Sequence, residues 1–176
     1  TYYPTQGPER EVPFIISNQQ EVYGGFEGGE HSLSQRDWKA NKTILSGEIG
    51  TDSKNDNSLN VVLTKNVRRS TIIDGFTITG GFANENGMSG ERTKCGGAWY
   101  NDGSGKGNYS NPTIRNCTFV DNYGRDGGAM YNNGNAGEAS PVLIYCTFMG
   151  NRADLDGGAL FNDGRLEGKS NPILMD

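Results

Sequence analysis

One phrase occurs three times at a nearly constant interval, and this repetition restricts the possible folds more than any other feature. The phrase Gly-Gly-Ala-x-(Tyr or Phe)-Asn-(Asp or Asn)-Gly occupies 96–103, 127–134 and 157–164. A second phrase, which contains Cys-Thr-Phe, lies between these copies at 111–119 and 140–148. Self-similarity with a period of about 30 residues is typical of stacked repeats, in which each repeat packs against its neighbours.

The residue types within each repeat favour strands over helices. Short runs of Ile, Val, Phe, Tyr and Thr are bounded by Gly, Asn, Asp and Pro, which is the pattern of strands and turns. Short strands that return at this period stack best as parallel strands, about 4.8 Å apart. The sequence therefore predicts an all-β fold, a right-handed parallel β-helix with coils of about 30 residues.

Composition agrees with a thin core and excludes some partners. Only 33% of the residues are hydrophobic, whereas 27 of the 176 residues are Gly, which suits corners that need positive φ angles. The net charge is −5 and no long Lys/Arg cluster is present, so we expect no nucleic-acid partner. No apolar run approaches the length of a membrane span, so we expect none in this segment.

The regularity of the repeats changes along the chain. We predict one domain over 1–176, with irregular N-terminal coils in 1–59 and regular coils in 60–176. An insertion in the first part breaks the strand pattern, and we expect Leu33 and Trp38 to pack from it onto the stack. A third copy of the second phrase starts at Asn171-Pro172 and stops at the chain end, from which we expect that the chain is a fragment of a longer one.

The alternation of side chains along a strand assigns residues of the second phrase to the inside or the outside. Its recurring Cys and Phe residues define the inner face. Strict alternation then places Ile144 inside with them, whereas Ile114 faces outward. The recurring residues predicted to lie inside are Cys117, Phe119, Cys146 and Phe148.

The first phrase contains two adjacent apolar columns, of which only one can face the core. We predict that the column formed by the first apolar residue after Gly-Gly-Ala faces inward. Its members are Trp99, Met130 and Leu160. The competing column consists of Tyr100, Tyr131 and Phe161.

Two of the three cysteines occupy equivalent positions in successive repeats. Cys117 and Cys146 should therefore be stacked neighbours. They could form a disulfide or fill the interior as two small apolar side chains. We favour the second alternative, because a parallel pair in register is poorly placed for the geometry of a disulfide.

The order of these phrases resembles a known group of proteins. The Gly-Gly-Ala-x-Tyr-Asn phrases, the Cys-Thr-Phe-x-x-Asn phrases at 117–122 and 146–151, and the segment 72–81 are similar to bacterial right-handed β-helix proteins. Specifically, they resemble the polymorphic outer-membrane-protein repeat and the pectin-lyase-like superfamily. The resemblance implies a secreted protein or one on the bacterial outer-membrane surface.

Within that group, the resemblance implies a non-catalytic structural or adhesive module as the first expectation. Its loops at 27–39, 50–58, 82–94, 103–110 and 134–140 would present side chains to glycans or to other surface proteins. An alternative is self-association through the coil ends into a surface filament or shell.

A carbohydrate-active enzyme, either a polysaccharide lyase or a glycoside hydrolase, is the other alternative. Such enzymes need positioned carboxylates, and the best candidates are Asp126 and Asp156, which precede Gly-Gly in adjacent coils. Together with Asp154 they are also the candidates for a calcium site. We favour a structural role, in which each Asp caps a corner by hydrogen bonds to the backbone, and we assign no catalytic, cofactor or metal residue.

A column of asparagines follows the aromatic residues of the first phrase. Asn101, Asn132 and Asn162 could form a polar surface for a glycan, or an amide ladder along the stack. We favour the ladder, because identical amides at strand spacing can hydrogen-bond to one another.

Overall fold

The computed structural model describes all residues, 1–176, and its regular secondary structure is almost all β-strand. Two 3-10 helices, Leu33–Gln35 and Lys54–Asp56, are the helical segments. The strands in chain order are β1 (Phe14–Ile16), β2 (Glu21–Tyr23), β3 (Thr43–Ser46), β4 (Val62–Lys65), β5 (Ile72–Asp74), β6 (Phe76–Thr79), β7 (Phe82–Ala83), β8 (Trp99–Asp102), β9 (Thr113–Arg115), β10 (Thr118–Val120), β11 (Tyr123–Gly124), β12 (Met130–Asn133), β13 (Val142–Ile144), β14 (Thr147–Met149), β15 (Arg152–Ala153), β16 (Leu160–Asp163) and β17 (Ile173–Met175).

These strands form four sheets in which every pairing is parallel. The first sheet has the order β1-β4-β8-β12-β16 and the second β2-β5-β9-β13-β17. The third consists of β3, β6, β10 and β14, and the fourth of β7, β11 and β15. The chain visits the sheets in this order and then returns to the first, so each circuit, called a coil below, stacks on the preceding one. This topology is compatible with a parallel β-helix.

The register confirms the alignment of the repeated phrases. Met130 pairs with Trp99 on one side and with Leu160 on the other. Thr118 pairs in the same way with Thr77 and Thr147. Equivalent residues of successive repeats are therefore adjacent along the stack, as the sequence period predicts.

The core lies inside the stack and contains most of the residues predicted for it. Trp99 and Met130 are fully buried there, and Leu160 packs against them, so the assignment of this column is confirmed. Cys117 and Phe119 are also buried in the core, and the Phe148 ring stacks on Phe119 with centroids 4.7 Å apart. All three cysteines are free thiols, as the alternative that we favoured requires.

The predicted orientation of Ile114 and Ile144 is wrong. Ile114 is fully buried in the core, whereas Leu143 takes the inner position of the next coil and Ile144 faces outward. The cause is the corner between the second and third sheets, where Asn116 and Tyr145 have φ angles of 51° and 52°. A left-handed residue at each corner resets the alternation, because both flanking strands must direct apolar residues inward.

The expectation for the insertion is only half correct. Leu33 belongs to the first 3-10 helix and is 46% exposed. Trp38, in contrast, is half-buried and packs closely on the backbone, because a Cβ atom added to Gly25 or Gly75 would lie within 3 Å of it. The insertion is thus held by Trp38 and by its neighbour Arg36, and Leu33 stays in solvent.

Charged groups anchor this insertion to the stack. Asp74 is buried, and its carboxylate lies 2.8 Å from an Arg36 guanidinium nitrogen and 3.0 Å from one of Arg115. The Asn116 amide also donates to this carboxylate at 2.8 Å. Two guanidinium groups and one amide therefore compensate the burial of Asp74.

The asparagine column forms the predicted ladder inside the first sheet. The Asn101 amide nitrogen donates to Oδ1 of Asn132 at 3.0 Å, and that of Asn132 donates to Oδ1 of Asn162 at 2.9 Å. Thr64 extends the ladder, since its hydroxyl donates to Oδ1 of Asn101 at 2.9 Å. Asn101 and Asn132 are fully buried, so the column does not form a glycan-binding surface.

Candidate functional site

The two aspartates proposed as a catalytic pair lie in different surroundings. Asp126 is 4% exposed, and its Oδ1 accepts the backbone N–H of Asp156 at 3.4 Å. The Cys95 thiol lies 3.8 Å from the other carboxylate oxygen, and burial raises the pKa of this thiol to about 11. Asp126 therefore contacts the backbone of the next coil, and not the backbone that follows it in its own corner. Asp156 itself is exposed.

The third acidic candidate, Asp154, belongs to another part of the surface. It is exposed, and its carboxylate accepts the Tyr123 hydroxyl. No group of three or more His, Cys, Asp or Glu side chains lies close enough together to hold a metal ion. The catalytic role of Asp126 and Asp156 and the calcium site with Asp154 remain predictions.

Asp154 lines a cleft along the corner between the third and fourth sheets. The cleft has a volume of about 380 Å³, which lies within the range of small-ligand pockets. The second 3-10 helix and the residue after it form one side, through Lys54 and Asn57. The opposite wall follows the corner over three coils and is lined by Gly80, Gly81, Phe82, Asp121, Asn122, Tyr123, Gly150, Arg152 and Asp154.

One outward-facing column of the fourth sheet forms part of this wall. Tyr123 pairs in register with Phe82 in the preceding coil and with Arg152 in the following coil. The two rings have centroids 4.6 Å apart and are tilted by 32°. Since the strand spacing is about 4.8 Å, the column presents two aromatic edges and a guanidinium over about 10 Å.

The charges in the cleft are balanced and mostly unpaired. Lys54 and Arg152 form no ion pair in the structure, and Asp121 accepts no hydrogen bond from a side chain. Asp154 accepts only the Tyr123 hydroxyl, and burial together with this hydrogen bond raises the pKa of Tyr123 to about 12. Two cations and two carboxylates are thus available to a ligand.

Asn57 adds a buried polar group to the wall. It is 6% exposed, and its amide nitrogen donates to the Gly80 carbonyl at 2.8 Å. Its Oδ1 atom accepts no hydrogen bond. A buried acceptor without a donor is uncommon in folded proteins.

Sequence analysis did not identify Phe82, Tyr123 and Arg152 as a functional column. A signal was present, because Tyr123 and Arg152 each follow an Asn that ends the Cys-Thr-Phe-x-x-Asn phrase. Those two asparagines, Asn122 and Asn151, form a second ladder, with a hydrogen bond of 3.0 Å between their amides. The next residue must then face outward, but the sequence does not show that Lys54 and Asn57 approach from a distant loop.

A second aromatic column covers the outer face of the first sheet. The rings of Tyr100 and Tyr131 stack with centroids 5.5 Å apart, and Phe161 continues the column at 5.2 Å. The loop 84–94 lies over this column, since the Tyr100 hydroxyl donates to the Gly90 carbonyl at 2.6 Å. Tyr100 is therefore only 5% exposed, and this column is a closed outer core rather than an open binding surface.

Comparison with known proteins gives no family and no function. No family model matches the chain, and neither a curated protein nor a solved structure matches it significantly. No helix in the structure has both the length and the apolar character needed to cross a membrane.

Proposed function

We propose that the chain is a right-handed parallel β-helix that acts as a non-catalytic structural or adhesive module of a secreted or cell-surface protein. In this role its stacked interior holds outer side chains at fixed positions for recognition of glycans or protein partners. The proposed location follows from the resemblance of the repeated phrases to surface β-helix proteins.

One observation carries this proposal, namely the register of the outer column in the cleft. Phe82, Tyr123 and Arg152 are fixed one coil apart by backbone pairing, while the Asn122–Asn151 ladder fixes the corner behind them. A surface ordered in this way supports recognition without rearrangement, which lowers the entropic cost of binding. Asp126, one of the two catalytic candidates in the sequence, is buried and accepts a backbone hydrogen bond from the next coil.

A carbohydrate-active enzyme is the second candidate, and one observation favours it. Asp121 and Asp154 line the same cleft, and two carboxylates beside a bound sugar are the usual requirement for glycoside hydrolysis. In such an enzyme these residues, rather than Asp126 and Asp156, would act on the substrate.

Incubation with neutral and acidic polysaccharides separates the two functions. Unsaturated products and new reducing ends would be measured alongside retention of each polysaccharide on immobilised protein. The proposal expects no product from any polysaccharide, with or without added calcium. Product that disappears in D121N, D154N, D126N or D156N would refute the non-catalytic function and identify the residue that acts.

A further inference from the structure

The balance of charge in the cleft selects among possible ligands. Lys54 and Arg152 offer donors without partners, and Asp121 and Asp154 offer acceptors, so the four formal charges cancel. Because the attractive and repulsive contributions largely offset each other, neither an anionic nor a cationic ligand gains a net charge attraction in the cleft. A neutral ligand that is rich in hydroxyl groups can use all four, because each hydroxyl both donates and accepts.

The apolar part of the wall fits the same ligand. The edges of Phe82 and Tyr123 form an apolar strip between charged groups, and sugar rings present C–H groups next to their hydroxyls. Because the column runs along the stack, an extended oligomer would lie parallel to the long axis of the stack.

We infer that the cleft between the third and fourth sheets binds a neutral oligosaccharide. In this site Asp121 and Asp154 accept hydrogen bonds from sugar hydroxyls, and Lys54 and Arg152 donate to others. Phe82 and Tyr123 pack against the ring carbons. This site rests on the proposed function as a recognition module and specifies the ligand class and the surface involved.

Replacement of both carboxylates by amides gives a test in which neutral and acidic ligands respond in opposite directions. The D121N/D154N variant keeps the shape of the side chains but removes two negative charges. Binding of cellohexaose, xylohexaose and mannohexaose would be measured by frontal affinity chromatography, with hexagalacturonate as the acidic probe. We expect at least one neutral hexaose to bind the wild-type protein and to bind at least tenfold more weakly to the variant.

The control replaces two exposed carboxylates that do not line the cleft, in D52N/E167Q, and should leave binding unchanged. Preferred binding of hexagalacturonate, strengthened in D121N/D154N, would overturn the inference, as would a neutral hexaose that binds both proteins equally. Absence of binding by all the hexaoses would also overturn it. None of these results affects the non-catalytic function, which fails only if sugar products appear in the same samples.

Discussion

The corner around Asp74 and the asparagine ladder both bury polar side chains, but they stabilise them differently. In the ladder, Asn101, Asn132 and Asn162 are equivalent residues, and each amide binds the same group one coil away. At the Asp74 corner the partners are unlike, since Arg115 comes from the next coil and Arg36 from the insertion. Identical amides are self-complementary because each is both donor and acceptor, whereas carboxylates are not and need an added cation.

This difference explains where the stack can be regular. A column of amides can continue through any number of coils without another element of the chain. A buried carboxylate is tolerated only where another segment supplies its counter-charge, which is the role of the insertion between β2 and β3. The two regions should therefore respond differently to the loss of one side chain.

The largest effect is expected from Asp74→Ala. This change leaves Arg36 and Arg115 without their shared carboxylate, and removal of one partner from a buried ion pair typically costs about 3–5 kcal/mol. Because Arg115 keeps 34% of its side chain in solvent, we expect the lower end, a decrease of about 3 kcal/mol in the free energy of unfolding. Urea denaturation monitored by circular dichroism measures this change in the free energy of unfolding.

The matched control for Asp74→Ala is Asp52→Ala, because Asp52 is exposed. The Asp52→Ala protein should unfold at the same urea concentration as the wild-type protein. A similar midpoint for Asp74→Ala and Asp52→Ala would show that the charged corner adds nothing to stability.

A smaller effect is expected from Asn132→Ala, which removes the middle of the ladder. The amide of Asn101 then loses one acceptor and Oδ1 of Asn162 loses its donor. An unsatisfied buried polar group costs about 1–3 kcal/mol, and Asn162 is exposed to water, so we expect a loss of about 2 kcal/mol. Asn162→Ala, at the exposed end, should cost less than about 0.5 kcal/mol. Equal losses for the two variants would contradict a continuous ladder.

The dependence of stability on pH provides a third comparison, at the carboxylate of Asp163, which pairs with Arg165 two residues further along the chain. Burial disfavours the charged form of Asp163, but hydrogen bonds from Arg165 and Tyr131 outweigh it and lower the pKa of this carboxyl. The pKa of an Asp carboxyl in the unfolded chain is about 3.9. A lower pKa in the folded protein stabilises it at pH values above about 3.9, and this stabilisation is lost as the pH falls through the pKa of the folded state.

We therefore expect Asp163→Asn to be less stable than the wild-type protein at pH 7 and the difference to narrow towards pH 3. Thermal unfolding across this range measures the effect. A constant difference between the two proteins at all pH values would show that the pKa of Asp163 is unperturbed.

Most of the stack could be predicted from the sequence, because its period fixes which residues are neighbours. The repeated phrases predicted the register of Trp99 with Met130 and the ladder at Asn132 without any knowledge of the backbone. The faces of Ile114 and Ile144 could not be predicted in this way. Their orientation depends on left-handed corner residues. A signal was present at this corner, because the equivalent residue of the preceding coil is Gly75, with a φ angle of 84°, and Asn is enriched at positive φ, but Tyr145 gives no such indication.

The candidate site was less predictable than the fold. Asp154 was recognised from its place near the corner, but the cleft depends on Lys54 and Asn57 from a loop outside the repeats. A residue without an equivalent in the next coil has no neighbour that the period can assign. The same limit applies to the partners of Asp74.

The smallest effect is expected at Leu33, which lies outside the repeats and was wrongly predicted to pack onto the stack. Leu33 is 46% exposed, so Leu33→Ala removes few packing contacts and should change the free energy of unfolding by less than about 0.5 kcal/mol. Trp38→Ala should cost several times more, because Trp38 packs on the backbone at Gly25 and Gly75. Urea denaturation of both variants measures this contrast. An equal or larger loss at Leu33 would mean that the insertion is held by its helix and that Arg36 reaches Asp74 only as a consequence.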